Sequence, residues 1–187
     1  MRPRLLALLL CAPQSRAACV FEGAVLRNST GGLVGCADLA ERSVAIYFAG
    51  EWCPLCTRFT PALRAFHERY QEVSIVFVSS DATADEAEEH YRHQLAGRTP
   101  GLGWLSLAFD DPLAATLKRR HRVWSGVETG TFGFGRRSGV PCVVVIDESG
   151  TEIAFLQGER HGAAALNEWE PEAMQSATWP PRMTDEL

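Results

Sequence analysis

The sequence predicts an α/β domain of three layers, a central mixed β-sheet flanked by helices. Two observations carry that prediction. Short, almost uninterrupted apolar runs alternate along the chain with segments of helical periodicity, the mark of buried strands joined by crossover helices. A β-branched run near the end, Cys142–Asp147, is followed by the turn Glu148-Ser149-Gly150 and a second short run, Glu152–Leu156. That pair reads as a hairpin and makes an otherwise largely parallel sheet mixed.

The elements follow in order. Ser43–Ala49 is apolar on both faces and reads as a central strand. Within Thr57–Tyr70, Phe59, Ala62, Leu63, Phe66 and Tyr70 fall on one helical face. Val73–Ser79 is a second buried strand. Thr83 and Glu86 form a capping-box pattern opening a helix that carries Ala84, Ala87, Tyr91 and Leu95 on one side. Trp104–Phe109 reads as a short strand or extended segment. Asp111-Pro112 starts a third helix, with Lys118, Arg119, Arg120 and Arg122 toward its end, where cations suit the helix dipole. Ser125–Gly139 is glycine-rich and reads as a long loop, functional or mobile. A short helix is expected around Ala163–Trp169, and Trp179-Pro180-Pro181 opens an extended tail.

At 187 residues the chain is long enough for one domain with short tails. Hydrophobic residues at 46% and charged residues at 22% exclude wholesale disorder. A net charge of −5 argues against a dedicated nucleic-acid binder. No apolar stretch reaches the length of a membrane span. Residues 18–175 are read as the single domain, between an N-terminal segment 1–17 and a C-terminal tail 176–187. Residues 1–17 combine a basic start, the apolar run Leu5–Ala12 and small residues at Ser15 and Ala17, the pattern of a secretory signal or else an unstructured terminus. The ending Thr184-Asp185-Glu186-Leu187 shares its last three residues with retention tetrapeptides of the endoplasmic reticulum.

The chemistry is concentrated in Trp52-Cys53-Pro54-Leu55-Cys56. This stretch follows the strand Ser43–Ala49 and opens the next helix, at the strand end where α/β active sites gather. A helix N-terminus offers free N–H groups and the positive end of the dipole, which stabilise a thiolate. Cys53, ahead of the helix, is expected to be the more exposed sulfur and the nucleophile. Cys56, one turn inside, is expected to be more buried and to resolve the mixed disulfide. Pro54 suits the first turn, where its missing N–H costs nothing. A metal site is the competing reading, but a structural zinc needs four ligands. There is a single C-x-x-C, and none of the five histidines stands at finger spacing.

Trp-Cys-x-x-Cys at such a junction, with Val140-Pro141 ahead of a downstream hairpin, resembles the thioredoxin fold. More narrowly, Tyr47–Cys56, Arg58–Pro61, Phe77–Asp81 and Trp104–Phe109 are similar to the tryparedoxin and nucleoredoxin branch, over roughly residues 21–170. The resemblance implies a thiol-disulfide oxidoreductase, a protein-disulfide reductase working through a mixed disulfide. It implies that Pro141 is a cis-proline facing the cysteines and that Val140 offers backbone hydrogen bonds to a substrate strand. It implies no bound cofactor. Electrons come from an external thiol or reductase, and no nucleotide-binding glycine motif follows a strand. The expected partners are disulfide-containing proteins and that reductant. The chain is expected to be a monomer, with no nucleic acid and no membrane span. Two alternatives stay open: a redox-gated binding module of nucleoredoxin type, and a disulfide oxidase or isomerase of the secretory pathway. The resemblance implies a cytosolic or nuclear protein, whereas the two terminal signals would agree with the secretory alternative.

The sequence departs from the branch in places. Leu55 stands for its usual second proline and Thr57 for a basic residue, between and after the cysteines, where redox potential is tuned. Tyr47 stands where ordinary thioredoxins bury an acid, so another group must take the Cys56 proton; Glu51 is the nearest in sequence. Ser125–Gly139 looks expanded. Its Arg136 and Arg137, with Arg122, could steer an anionic partner, and Phe132 and Phe134 could pack on one. Cys142 reads as a buried strand residue or a third redox thiol. Cys19 and Cys36 can pair only where the compartment is oxidising.

Overall fold

In the computed structural model, residues 19–40, 42–95 and 104–169 are described. The signal-like segment, the tail and the Asp185-Glu186-Leu187 ending lie outside them. The strands are β1 (Leu26–Arg27), β2 (Leu33–Val34), β3 (Val44–Ala49), β4 (Ser74–Ser79), β5 (Trp104–Leu107), β6 (Cys142–Ile146) and β7 (Glu152–Leu156). They form one seven-stranded sheet in the order β2-β1-β5-β4-β3-β6-β7. The helices are α1 (Pro54–Arg69), α2 (Ala84–His90), α3 (Pro112–His121) and two short ones, α4 (Thr129–Phe132) and α5 (Gly158–His161).

β3 and β4 are buried at every residue, as their apolar runs require. β3 pairs in parallel with β4, and β4 with β5. The other neighbours, β3–β6, β6–β7, β1–β5 and β1–β2, run antiparallel. The sheet is therefore mixed, as expected, but less parallel than its βα alternation suggested. Between β5 and β6 the chain passes through α3 and then the 122–141 excursion, which brings it to β6 at the C-terminal end of β3, so that β6 runs antiparallel to it.

The N-terminal hairpin β1–β2 has no counterpart in the sequence reading. Each strand has two residues, too short for a period-2 pattern to show. Asn28 closes the turn, its side-chain oxygen accepting from the N–H groups of Thr30 and Gly32. A disulfide joins Cys19 to Cys36 across this segment.

The helices start where the sequence placed them. Cys53 caps α1, Thr83 Oγ1 accepts from Glu86 N at 3.2 Å, and Asp111 Oδ1 accepts from Leu113 N at 2.9 Å. Glu86 reaches back one residue further than a capping box prescribes, to Ala82 N at 2.9 Å. α1 continues through Pro61. The expected final helix is a short α-turn and a 3₁₀ stretch, Gly162–Glu168.

The 125–139 segment is not a bare loop. It holds a 3₁₀ turn, Gly126–Glu128, and α4. Lys118, placed by the sequence at the cation-favouring end of α3, is buried. Its ammonium donates to Ser79 O at 2.6 Å and pairs with Glu128. That ties the segment to the C-terminal end of β4.

Candidate active site

Cys53 and Cys56 stand at the C-terminal end of β3 on the first turn of α1, both as free thiols. The exposure order follows expectation, but the magnitude does not. Cys53 is only 4% exposed and Cys56 is fully buried. Pro54 and Leu55 are exposed beside them. Cys53 Sγ accepts from Cys56 N at 3.3 Å, so a helix-terminal N–H is already directed at the sulfur. The Cys53 thiol in turn donates to Val140 O at 3.6 Å. The Val140–Pro141 peptide is cis.

Burial, reinforced by the hydrogen bond and charge of Cys53, pushes the Cys56 thiol well above the usual thiol range. Cys56 is thus held protonated at neutral pH. Tyr47 lies beneath α1. Thr60 Oγ1 donates to Cys56 O at 2.9 Å, which leaves the Tyr47 hydroxyl to donate to Thr60 at 3.0 Å. Burial, with repulsion from the cysteine charges, keeps the Tyr47 phenol protonated far above neutral pH. It braces the first turns of the helix.

Trp52 is 49% exposed, and its indole N–H donates to Ser80 O at 3.0 Å. Gly50 is required for that pose: a Cβ there would meet Trp52 Nε1 at 2.6 Å.

Sequence reasoning named Glu51 as the acid nearest the pair. The buried acid is Asp81. Its Oδ1 accepts from Glu51 N at 2.6 Å, and its Oδ2 from Ser79 Oγ at 2.7 Å, with His90 Nδ1 at 3.3 Å. Desolvation draws the Asp81 carboxyl upward, but the bonds from His90, Ser79 and Glu51 N–H outweigh it and hold the group below the usual carboxylate range. Its negative charge also adds to the upward push on Cys56. The missed group had a signal. Ser79-Ser80-Asp81 is a polar run closing an apolar strand, at the strand end where α/β sites form.

The basic loop that sequence suggested is not free to steer an anion. Arg136 pairs with Glu159, Arg137 pairs with Glu152 over the ring of Phe155, and Arg122 donates to Gly135 O. Phe132 packs on Trp124, ring centroids 5.6 Å apart; Phe134 is exposed. Cys142 is fully buried beside Pro141, and burial pushes its thiol up to about 12. Among the described residues, no cluster of three His, Cys, Asp or Glu side chains could hold a metal ion. No described helix is long and apolar enough to cross a membrane.

The model of the family described as thioredoxin-like matches residues 41–152, which span β3 to the start of β7 and include both cysteines and Pro141. This chain belongs to the thioredoxin-like family. Within it the chain is 33% identical over 93 residues to tryparedoxin of Trypanosoma brucei brucei, covering 48% of this chain and 59% of that protein. It is 32% identical over 90 residues to probable nucleoredoxin 1 of Arabidopsis thaliana, covering 46% of this chain but 14% of that one. The match thus spans less than two thirds of either relative. The solved thioredoxin of Wuchereria bancrofti superposes with a TM-score of 0.61 at 26% identity, over 85% of this chain and 96% of its own. The tryparedoxin and nucleoredoxin likeness read from the motifs therefore stands.

Proposed function

We propose that this member of the family is a protein-disulfide reductase with Cys53 as nucleophile and Cys56 as resolving thiol. The observation that carries the reading is Cys53 Sγ, held between Cys56 N–H and the carbonyl of Val140 beside a cis-proline. The Cys53 thiolate attacks a substrate disulfide and expels one sulfur as a thiolate. Cys56 then loses its proton, attacks Cys53 Sγ and expels the second. The substrate gains two electrons and, with them, two protons; the enzyme is left with a Cys53–Cys56 disulfide. An external thiol or reductase restores the pair. Trp52, Pro54 and Leu55 form the rim of the site. Val140 and Pro141 offer the extended edge on which a substrate strand docks by backbone pairing. Asp81 is the buried acid whose charge Cys56 feels.

The test compares reduction of a protein disulfide by the wild type, Cys53→Ser and Cys56→Ser. Cys53→Ser should abolish turnover. Cys56→Ser should accumulate a mixed disulfide at Cys53, visible by mass. Turnover surviving in Cys53→Ser would refute the assignment. A redox-gated binding module would instead bind its partner without turnover, and with an affinity set by the oxidation state.

A second reading has one observation behind it. The Cys19–Cys36 disulfide belongs to an oxidising compartment. There the pair would run in reverse, as a disulfide donor or shuffler. The reduction potential of Cys53/Cys56 decides between them: about −230 mV or lower fits a reductase, about −180 mV or higher an isomerase or oxidant.

A further inference from the structure

Beside Trp52 lies a cleft of about 670 Å³. Three segments wall it: Glu51 and Trp52 after β3, Ser80 to Glu86 after β4, and the 127–131 turn. The third wall belongs to the segment 125–139 and is fixed in place. Glu128 holds the Ser125 N–H and hydroxyl at 2.8 and 2.7 Å and pairs with the buried Lys118; Trp124 Nε1 donates to Gly133 O at 3.0 Å.

The charge of this cleft has one sign. Four of its lining residues are acids and none is basic. Glu128 is neutralised by Lys118, and Asp81 is bonded to His90 and Ser79. Glu51 and Glu86 are not matched by a cation among the described residues; the Glu86 carboxylate accepts only from Ala82 N. A second observation is independent of these acids. Ser80 is one of the lining residues, and its hydroxyl is buried without a hydrogen-bond partner. Between the polar groups the walls are apolar: the half-exposed Trp52 indole, Ala82 and the 77% exposed Val127. Apolar walls together with unmatched carboxylates suit a long aliphatic stem with a cationic head. Trp52 adds a ring face for that cation.

We infer that this cleft receives an arginine or lysine side chain of the substrate protein, a few residues from the disulfide under attack, and so selects substrates with basic flanks. The inference rests on the reductase reading and names its substrate class. Its sign is opposite to the anionic partner that the loop arginines suggested, because those arginines are held by Glu152, Glu159 and a backbone carbonyl.

The experiment uses two peptides sharing one disulfide and differing only in Arg or Glu at the flanking positions. The readout is the ratio of their kcat/KM values, in which any common change in the thiol chemistry cancels. The Arg peptide should be preferred about tenfold at low salt, falling to about twofold near 0.5 M salt as the charges are screened. E86Q, whose amide oxygen still accepts from Ala82 N, should lower the ratio about threefold. V127K, at an exposed position, should bring it to one or below. Turnover of both peptides with a ratio near one in the wild type, or a ratio unmoved by both variants, overturns the inference. If the wild type reduces neither peptide nor the neutral 2-hydroxyethyl disulfide, the reductase reading itself fails, and the cleft's role fails with it.

Discussion

Cys53 Sγ lies 3.6 Å from the carbonyl oxygen of Val140, a residue 87 positions further along the chain. The contact follows from the antiparallel pairing of β3 with β6, in which Phe48 sits opposite Cys142. That register brings the residues before β6 to the end of β3 where the cysteines stand. The nucleophile and the edge for its substrate are thus fixed by one strand pair.

The pose of Trp52 depends on Gly50. In Gly50→Ala the new methyl would fall 2.6 Å from the indole nitrogen, and the bond to Ser80 O could not persist. One neutral hydrogen bond is worth about 1 kcal/mol, so kcat/KM toward a protein disulfide should fall about five- to tenfold. Tryptophan emission should shift with it. Unchanged emission and rate would show that the indole is not held this way.

Asp81 should give the fold an acid-sensitive component. Its folded value lies below its unfolded one, so its contribution is complete above the ordinary carboxylate pKa of about 4. It is lost as pH falls through the lower, folded value. Urea midpoints of the wild type and Asp81→Asn should therefore differ most at neutral pH and converge as the pH falls below the ordinary carboxylate range. A gap that widened on acidification would contradict the bonding seen here.

Lys118 is a buried cation whose partners are Glu128 and Ser79 O. Lys118→Met strands the Glu128 carboxylate and should cost about 3–5 kcal/mol in equilibrium unfolding. Adding Glu128→Gln should recover part of that loss. A double variant no more stable than the single one would mean that the pair is not coupled.

Cys142 should be chemically silent in the folded protein. It is fully buried, and its thiol is pushed up to about 12. Iodoacetamide at pH 8 should leave it unlabelled until denaturant is added. Labelling of the native protein at a rate near that of a free thiol would restore it as a third redox group.

Much of the site was legible because its signals are local. A cysteine pair after an apolar strand and before an amphipathic run needs only chain order to be placed at a helix start. Val140 and Pro141 were reached through the family resemblance, and the structure brings them to the cysteines. The misreadings share a cause. Lys118 was placed only at a helix end and Asp81 was not singled out, because the burial of a charge shows only once its partner from elsewhere in the chain is known. Arg136 and Arg137 read as free for the same reason, since Glu159 and Glu152 come later in the sequence.

By itself the sequence determined the α/β class, the buried strands β3, β4 and β6, the starts of α1, α2 and α3, and the position of the dithiol. These follow from apolar periodicity, capping and turn chemistry, whose range is a few residues. Tertiary structure alone decided the antiparallel course of β6, the β1–β2 hairpin, the Asp81–His90 pair beside the site and the acid-lined cleft next to Trp52. Each depends on which distant segments lie together, and no short-range pattern carries that.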